Sequence, residues 1–270
     1  MITGTREDIV TGTLAHDRGR LRAGLRRFHA GPGREDQEAV EVDETIGNAA
    51  RRSLGTRARW WLLVGTLVAG LLAAVALVAA VAPADRTFAE LSGTVQSLMS
   101  VATPLFGILL VRDMRRAPAR VPVVPTVLAV GLPAVVIGVA GVLICAATLA
   151  LTPADVADEP WRFAGTIALG SVLVQIVAGL VGTGLGLLLR SAVVAFLATI
   201  ILPLVLFALL GGVESAQPWL TPFGSARNLL SGEMSALRWV QWLCVLLIWG
   251  VGLNAVGAAV RNRRGGPTAR

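Results

Sequence analysis

The sequence predicts an all-α membrane protein that crosses the bilayer six times. Hydrophobic residues make up 54% of its 270 positions and charged residues only 15%, and the mean hydropathy is +0.70. This composition is far from that of a soluble globular domain. Six apolar runs are long enough to span a bilayer, and arginine gathers at alternate connections between them. The alternation predicts a polytopic protein with both termini in the cytoplasm.

A polar extension, residues 1–59, precedes the first apolar run. It contains no stretch apolar enough for a signal peptide, so we expect it to stay in the cytoplasm. Leu14, Leu21 and Leu25 fall on one helical face with arginines on the other side, a pattern that fits an interfacial helix, a docking segment for a partner or a solvated tail. The chain therefore divides into this extension, a six-helix membrane domain (60–264) and a cytoplasmic tail (265–270).

The first apolar run begins behind an arginine cluster and two tryptophans, which together are typical of a cytoplasmic membrane interface. The third run contains Pro125 and Pro133 and is longer than the hydrocarbon layer requires, so we expect it to be tilted or broken. After the fifth run, Thr221 is a candidate cap for a short helix that stops at Gly232. The predicted spans are about 61–82, 91–111, 123–151, 161–189, 192–210 and 239–260.

The fourth and fifth runs meet at a joint, Arg190 and Ser191, with almost no loop between them. Because an arginine is costly in hydrocarbon, Arg190 marks a water boundary where the chain turns back. Ala178, Gly182 and Gly186 follow one another at intervals of four on the fourth run. Such a stripe of small residues lets another backbone approach closely, so we predict a helix-packing face there.

The distribution of arginines tests the orientation. With the N-terminus inside, the outer side of the membrane domain holds only Arg86, Arg162, Arg227 and Arg238. We therefore expect a multi-pass protein of the cell membrane with both termini cytoplasmic. The inner side holds Arg51, Arg52, Arg57, Arg59, Arg112, Arg115, Arg116, Arg120, Arg190, Arg261, Arg263 and Arg264.

The spans contain few groups that could perform chemistry. None has an ionisable residue at its centre, whereas an ion-driven carrier usually needs one to bind its coupling ion. Gln96, Gln175 and Asn254 are the strongest polar groups, and each fits an interhelical hydrogen bond better than a substrate ligand. Cys145 and Cys244 lie in apolar runs and are interpreted as small buried hydrophobes.

Several classes of protein are disfavoured by what the sequence lacks. It has no HExxH motif, no aspartate pair within the spans and no interfacial His, Asp or Cys site for lipid chemistry, so we expect no enzyme and no metal site. All 24 basic residues are arginines, and a Walker-type nucleotide loop requires lysine. The net charge of +7 is explained by membrane topology, and no nucleic acid partner is expected.

A set of weak motifs occurs together between residues 179 and 264. They are a Gly-rich fourth run ending in LLLRS, a fifth run with an internal proline (ILPLVLFALL), a Pro-Trp segment on the outer side and an arginine-rich end. With the basic N-terminus and the charged connection after the second run, they resemble the type-2 ABC exporter permease family over about 51–264. Two features depart from the family: the longer polar extension, and the segment 112–120 in place of a frequent Glu-Gly-Thr element.

The resemblance implies the membrane-spanning permease subunit of an ATP-driven ABC exporter. It implies a dimer with a second copy or a paralogous permease, and a separate ATPase subunit that binds ATP and Mg, with no cofactor in this chain. A short rigid cytoplasmic connection can transmit movement of the ATPase to the membrane helices. We therefore take as coupling candidates Arg112, Asp113, Arg115, Arg116 and Arg120. The same arginines fit a role in topology alone, and a non-transporting membrane anchor or assembly subunit is the alternative function.

Overall fold

The computed structural model describes residues 55–116, 123–152, 157–213 and 215–264, without the side chains of 123–125 and of residue 264. Most of the predicted extension and the whole predicted tail lie outside these residues. Within them the regular structure is entirely helical, and six helices are long and apolar enough to cross a membrane. The predicted all-α fold with six spans is confirmed.

Five of the spans are single helices and the sixth is a composite. The single helices are α1 (Arg57–Ala80), α2 (Phe88–Arg116), α3 (Val123–Ala150), α4 (Ala164–Leu188) and α5 (Ala192–Leu209). Two short helices follow, α6 (Gln217–Leu220) and α7 (Pro222–Leu230). The last span consists of α8 (Ala236–Val245), a π-helical stretch (Leu246–Gly252) and α9 (Leu253–Arg264), which continue directly into one another.

Local sequence signals account for the helix ends near the turns. The side chain of Ser191 accepts a hydrogen bond from the backbone N–H of Val194 and so begins α5 only three residues after α4 ends. Thr221 caps α7 in the same way, and Gly232 adopts a φ of +79° just after that helix. The tight joint, the cap at Thr221 and the stop at Gly232 are thus confirmed, because each residue type suits its backbone position.

Two expectations about the spans need correction, and one feature was not expected. α3 continues unbroken through Pro133 to Ala150, so a broken third span is wrong. α2 extends to Arg116, which places Arg112 and its charged neighbours in a helix rather than in a connection. Arginines in the last turn of a helix interact favourably with the negative end of its dipole, which explains why the charges do not end the helix. The π-helical stretch in the sixth span was not predicted.

α4 is the central helix of the bundle and packs against α2, α3, α5, α7 and α9. Its contact with α2 depends on glycine, because a Cβ atom at Gly182 would collide with the carbonyl of Pro104. From the other side, a Cβ at Gly107 would lie 2.6 Å from the carbonyl oxygen of Gly179 and from the N–H nitrogen of Thr183. The two backbones therefore cross at close range, as small residues permit in membranes.

Candidate functional site

The charged cluster predicted from the sequence lies at the end of α2. Asp113 forms an ion pair with Arg59 at the start of α1. The Arg59 side chain is only 2% exposed and also donates a hydrogen bond to the backbone oxygen of Leu109 at 3.4 Å. A buried guanidinium needs such a carboxylate partner, whereas the Asp113 side chain is half exposed to solvent. The pair thus joins α1 to α2.

Arg115 joins the same end of α2 to the central helix. Its guanidinium donates to the backbone oxygen of Leu187 at 2.7 Å and to that of Leu189 at 2.9 Å. These carbonyls belong to the last turn of α4, where backbone oxygens have no partner within the helix. The positive charge of Arg115 also interacts favourably with the negative end of the α4 dipole. Arg115 is therefore a clamp between the ends of two helices.

Two further helices meet α2 at Met114, the residue between Asp113 and Arg115. Arg261 of α9 approaches the Met114 sulfur at 2.9 Å, and the hydroxyl of Thr126 in α3 approaches it at 3.4 Å. A thioether is only a weak hydrogen-bond acceptor, so these contacts help to orient the helices but contribute little to the free energy of folding. The end of α2 is consequently the place where α1, α3, α4 and α9 all have a side-chain contact with one helix.

A basic cavity of about 350 Å³ lies between the end of α2 and the joint of α4 and α5. Arg112 and Arg115 line it from α2, and Arg190 lines it from the joint. The described residues that line the cavity include three arginines and no acid. Gly186 and Ala195 leave room beneath them. The arrangement suits an anion, since arginine binds carboxylate and phosphate groups with two parallel hydrogen bonds.

The structure separates the five coupling candidates into different surroundings. Arg112 and Arg116 have exposed side chains, Asp113 is paired with Arg59, and Arg115 is bound to α4. Arg120 lies outside the described residues. Within the chain Asp113 pairs with Arg59, and a further pairing of Asp113 across an interface with an ATPase subunit stays a prediction.

The small-residue stripe of α4 also faces the same chain. Gly182 packs against Pro104, and a Cβ atom at Gly186 would lie 3.2 Å from the Cα of Ile108. Ala178 is half-buried and lines an apolar cavity described below. The glycines of the stripe are occupied by α2, so a second copy of the chain would need a different surface.

Within the largely apolar core, uncharged polar side chains form hydrogen bonds between helices. The Gln175 amide donates to the backbone and side-chain oxygens of Gln96 at 3.0 and 2.9 Å, and it accepts from Thr103 at 2.6 Å. Gln96 in turn donates to the carbonyl of Gly138 at 3.1 Å. Asn254 bridges α9 to Leu180 of α4 at 2.9 Å. The prediction of interhelical hydrogen bonds is confirmed at all three residues, and these bonds tie α2, α3, α4 and α9 together.

The described residues offer no site for a metal ion, since no group of three His, Cys, Asp or Glu side chains comes together among them. Cys145 is buried, Cys244 is half-buried, and both are free thiols. Sequence analysis missed Arg59 and Arg261 as parts of the cluster. Both were recognised as basic residues on the predicted inner side, and no signal in the sequence joined them to α2.

The fold and these contacts define a multi-pass membrane protein with a basic cluster at the end of its second span. No protein-family model matches the sequence, and none of the curated proteins matches it.

Proposed function

We propose that this chain is the membrane-spanning permease subunit of an ATP-driven ABC exporter in the cell membrane. The proposal rests on the resemblance of residues 51–264 to type-2 permeases and on the chemistry of the spans. The interior hydrogen bonds use amides and hydroxyls, which do not take up and release a proton at neutral pH as a carboxylate would. Energy for transport would therefore come from another polypeptide.

The observation that carries the proposal is the clamp from Arg115 to the end of α4. A separate ATPase subunit would bind at the end of α2 through an acidic segment whose carboxylates enter the basic cavity between Arg112 and Arg190. Charge complementarity of this kind speeds association and selects the partner. Because Arg115 holds the ends of α2 and α4 together, displacement of one end would displace the other.

A movement of the α2 and α4 ends that Arg115 joins would be transmitted to the middle of the bundle, because the backbones of the two helices are packed against each other. α2 and α4 touch at Gly107 and Gly182 mostly through main-chain atoms, so neither helix has room to slide independently. Farther along the two helices, Gln175 accepts a hydrogen bond from Thr103 and donates to Gln96. A change in the spacing of these two helices would open a path through the membrane. The partner subunit would hold ATP and Mg, and a second permease would complete the pathway.

The test uses the exposed arginines, because their replacement leaves the internal contacts intact. Arg112→Glu combined with Arg116→Glu should abolish copurification of a Walker-containing ATPase from native membranes and stop transport-coupled ATP hydrolysis in the co-expressed pair. Arg162→Glu combined with Arg227→Glu is the matched control, with the same change of charge on the predicted outer side. Binding of the ATPase to the wild type should also weaken as salt is raised.

The outcomes separate the proposal from the alternative. Unchanged copurification and hydrolysis in the double variant would place the coupling surface elsewhere on the chain. Failure of the wild-type protein to bring down any Walker-containing ATPase would contradict the exporter and favour the membrane anchor or assembly subunit.

A further inference from the structure

A second cavity lies within the bundle, between α2, α4, α5, α7 and α8. Its volume is about 160 Å³, and its walls are mostly aliphatic or aromatic, with Trp242 and Val245 from α8 and Val177 from α4. None of the described residues that line it is charged. Val101 and Phe223, which also line it, are each 45% exposed, so the cavity reaches the surface of the bundle.

One side-chain polar atom in this wall has no hydrogen-bond partner among the described residues. The cavity is lined by four hydroxyl residues, and three of them donate to carbonyls of their own helix: Ser97 to Gly93, Ser100 to Ser97, and Thr199 to Phe196. The fourth, Ser225 of α7, is 3% exposed, and its hydroxyl makes no hydrogen bond within the described chain. Buried hydroxyl groups are normally paired, so this exception calls for an explanation.

Two prolines add acceptors to the same walls. Pro104 and Pro203 line the cavity and have no backbone N–H to give. The carbonyls four residues earlier, those of Ser100 and Thr199, therefore lack their usual helical donor, and both residues also line the cavity. The cavity thus combines apolar walls, an unpaired hydroxyl and two carbonyls without their regular partner.

We propose that this cavity binds an uncharged amphiphile that carries a hydroxyl group, with Ser225 as its hydrogen-bond partner. The size limits what enters, because an apolar cavity of about 150 Å³ holds a benzene-sized group. A ring or a short chain would occupy the interior while the rest of the molecule extends past Val101 and Phe223. A charged head group would be unpaired inside and is excluded. The site does not depend on the proposed exporter function.

The experiment compares two probes of nearly equal shape, 4-fluorophenol and 4-fluorotoluene. Binding to the purified full chain in nanodiscs is measured by ¹⁹F NMR, with empty nanodiscs as the baseline. The wild type should bind the phenol more tightly than the toluene. Ser225→Ala should weaken phenol binding about fivefold, the effect of one neutral hydrogen bond, and leave toluene binding unchanged.

Two controls make the result specific. Ser231→Ala removes an exposed hydroxyl that lies outside the cavity and already donates to the carbonyl of Asn228 in α7, so it should change neither affinity. Ala178→Leu fills the cavity and should abolish saturable binding of both probes, with Ala226→Leu as a second filling variant if the first does not fold. Equal phenol binding by the wild type and Ser225→Ala, or no saturable binding of either probe, would overturn the proposal.

Competition identifies the source of the natural occupant. Displacement of 4-fluorophenol by dioleoylglycerol would support a membrane lipid with a free hydroxyl, and displacement by hexanol alone would support a small soluble alcohol. A probe that neither compound displaces would contradict binding of a hydroxyl-bearing amphiphile at this cavity.

Discussion

Gly182 of α4 lies against the backbone carbonyl of Pro104 in α2, so closely that one additional carbon atom on Gly182 would collide with it. Both sides of this contact are main chain, so a larger side chain cannot be accommodated by a change of rotamer. Within a membrane, where apolar side chains gain little from leaving lipid, such close backbone packing is a main source of helix association. The contact therefore sets the distance between the two most buried spans.

Gly182→Leu should prevent correct packing of α2 on α4 and lower both folded yield and melting temperature. Unfolding is followed with a thiol-reactive fluorophore, because Cys145 is fully buried and reacts only when the bundle opens; Cys244 is first replaced by alanine. Gly131→Leu is the matched control, since a Cβ there meets no other atom within 4 Å. A Gly182→Leu protein that melts like the control would show that α2 and α4 do not pack in this way.

Asp113→Ala should destabilise the protein more than Arg59→Met. Removing the carboxylate leaves the buried guanidinium of Arg59 without its ionic partner, at a cost on the order of 1 to 3 kcal/mol. Removing the arginine leaves Asp113 half exposed to water, which solvates it. The same fluorophore assay measures both, with Glu159→Ala in the exposed pair with Arg162 as a control that should change stability by less than about 0.5 kcal/mol. The reverse order of the two variants would refute a buried Arg59.

Cysteines at Ser191 and Ser215 should be labelled from opposite sides of the membrane by an impermeant thiol reagent. Both positions are exposed, and α5 lies between them. The arginine distribution predicts that Ser191 is cytoplasmic and Ser215 is outside. The experiment is done in intact cells and inverted vesicles, after replacement of Cys145 and Cys244. Labelling of both cysteines from one side would contradict the predicted topology.

The number and order of the spans follow from the sequence because each depends on local composition. A run of apolar residues long enough for the hydrocarbon layer forms a helix wherever it is placed in a membrane, since its backbone groups must bond within the segment. The caps at Ser191 and Thr221 and the stop at Gly232 are equally local. The Gly182 stripe was recognised as a packing face from its spacing, although its partner was not.

The tertiary structure alone decides which residues meet. Arg59 and Asp113 are 54 positions apart, and Arg115 reaches carbonyls more than 70 positions away, so their pairing depends on how the helices are arranged. For this reason the spacing of residues in the sequence could not distinguish between the two roles of the charged cluster, coupling to an ATPase and fixing the topology. Ser225 is ordinary in the sequence, and only the neighbouring helices make it buried and unpaired. Hydrophobicity acts residue by residue, whereas contacts between distant side chains require the completed bundle.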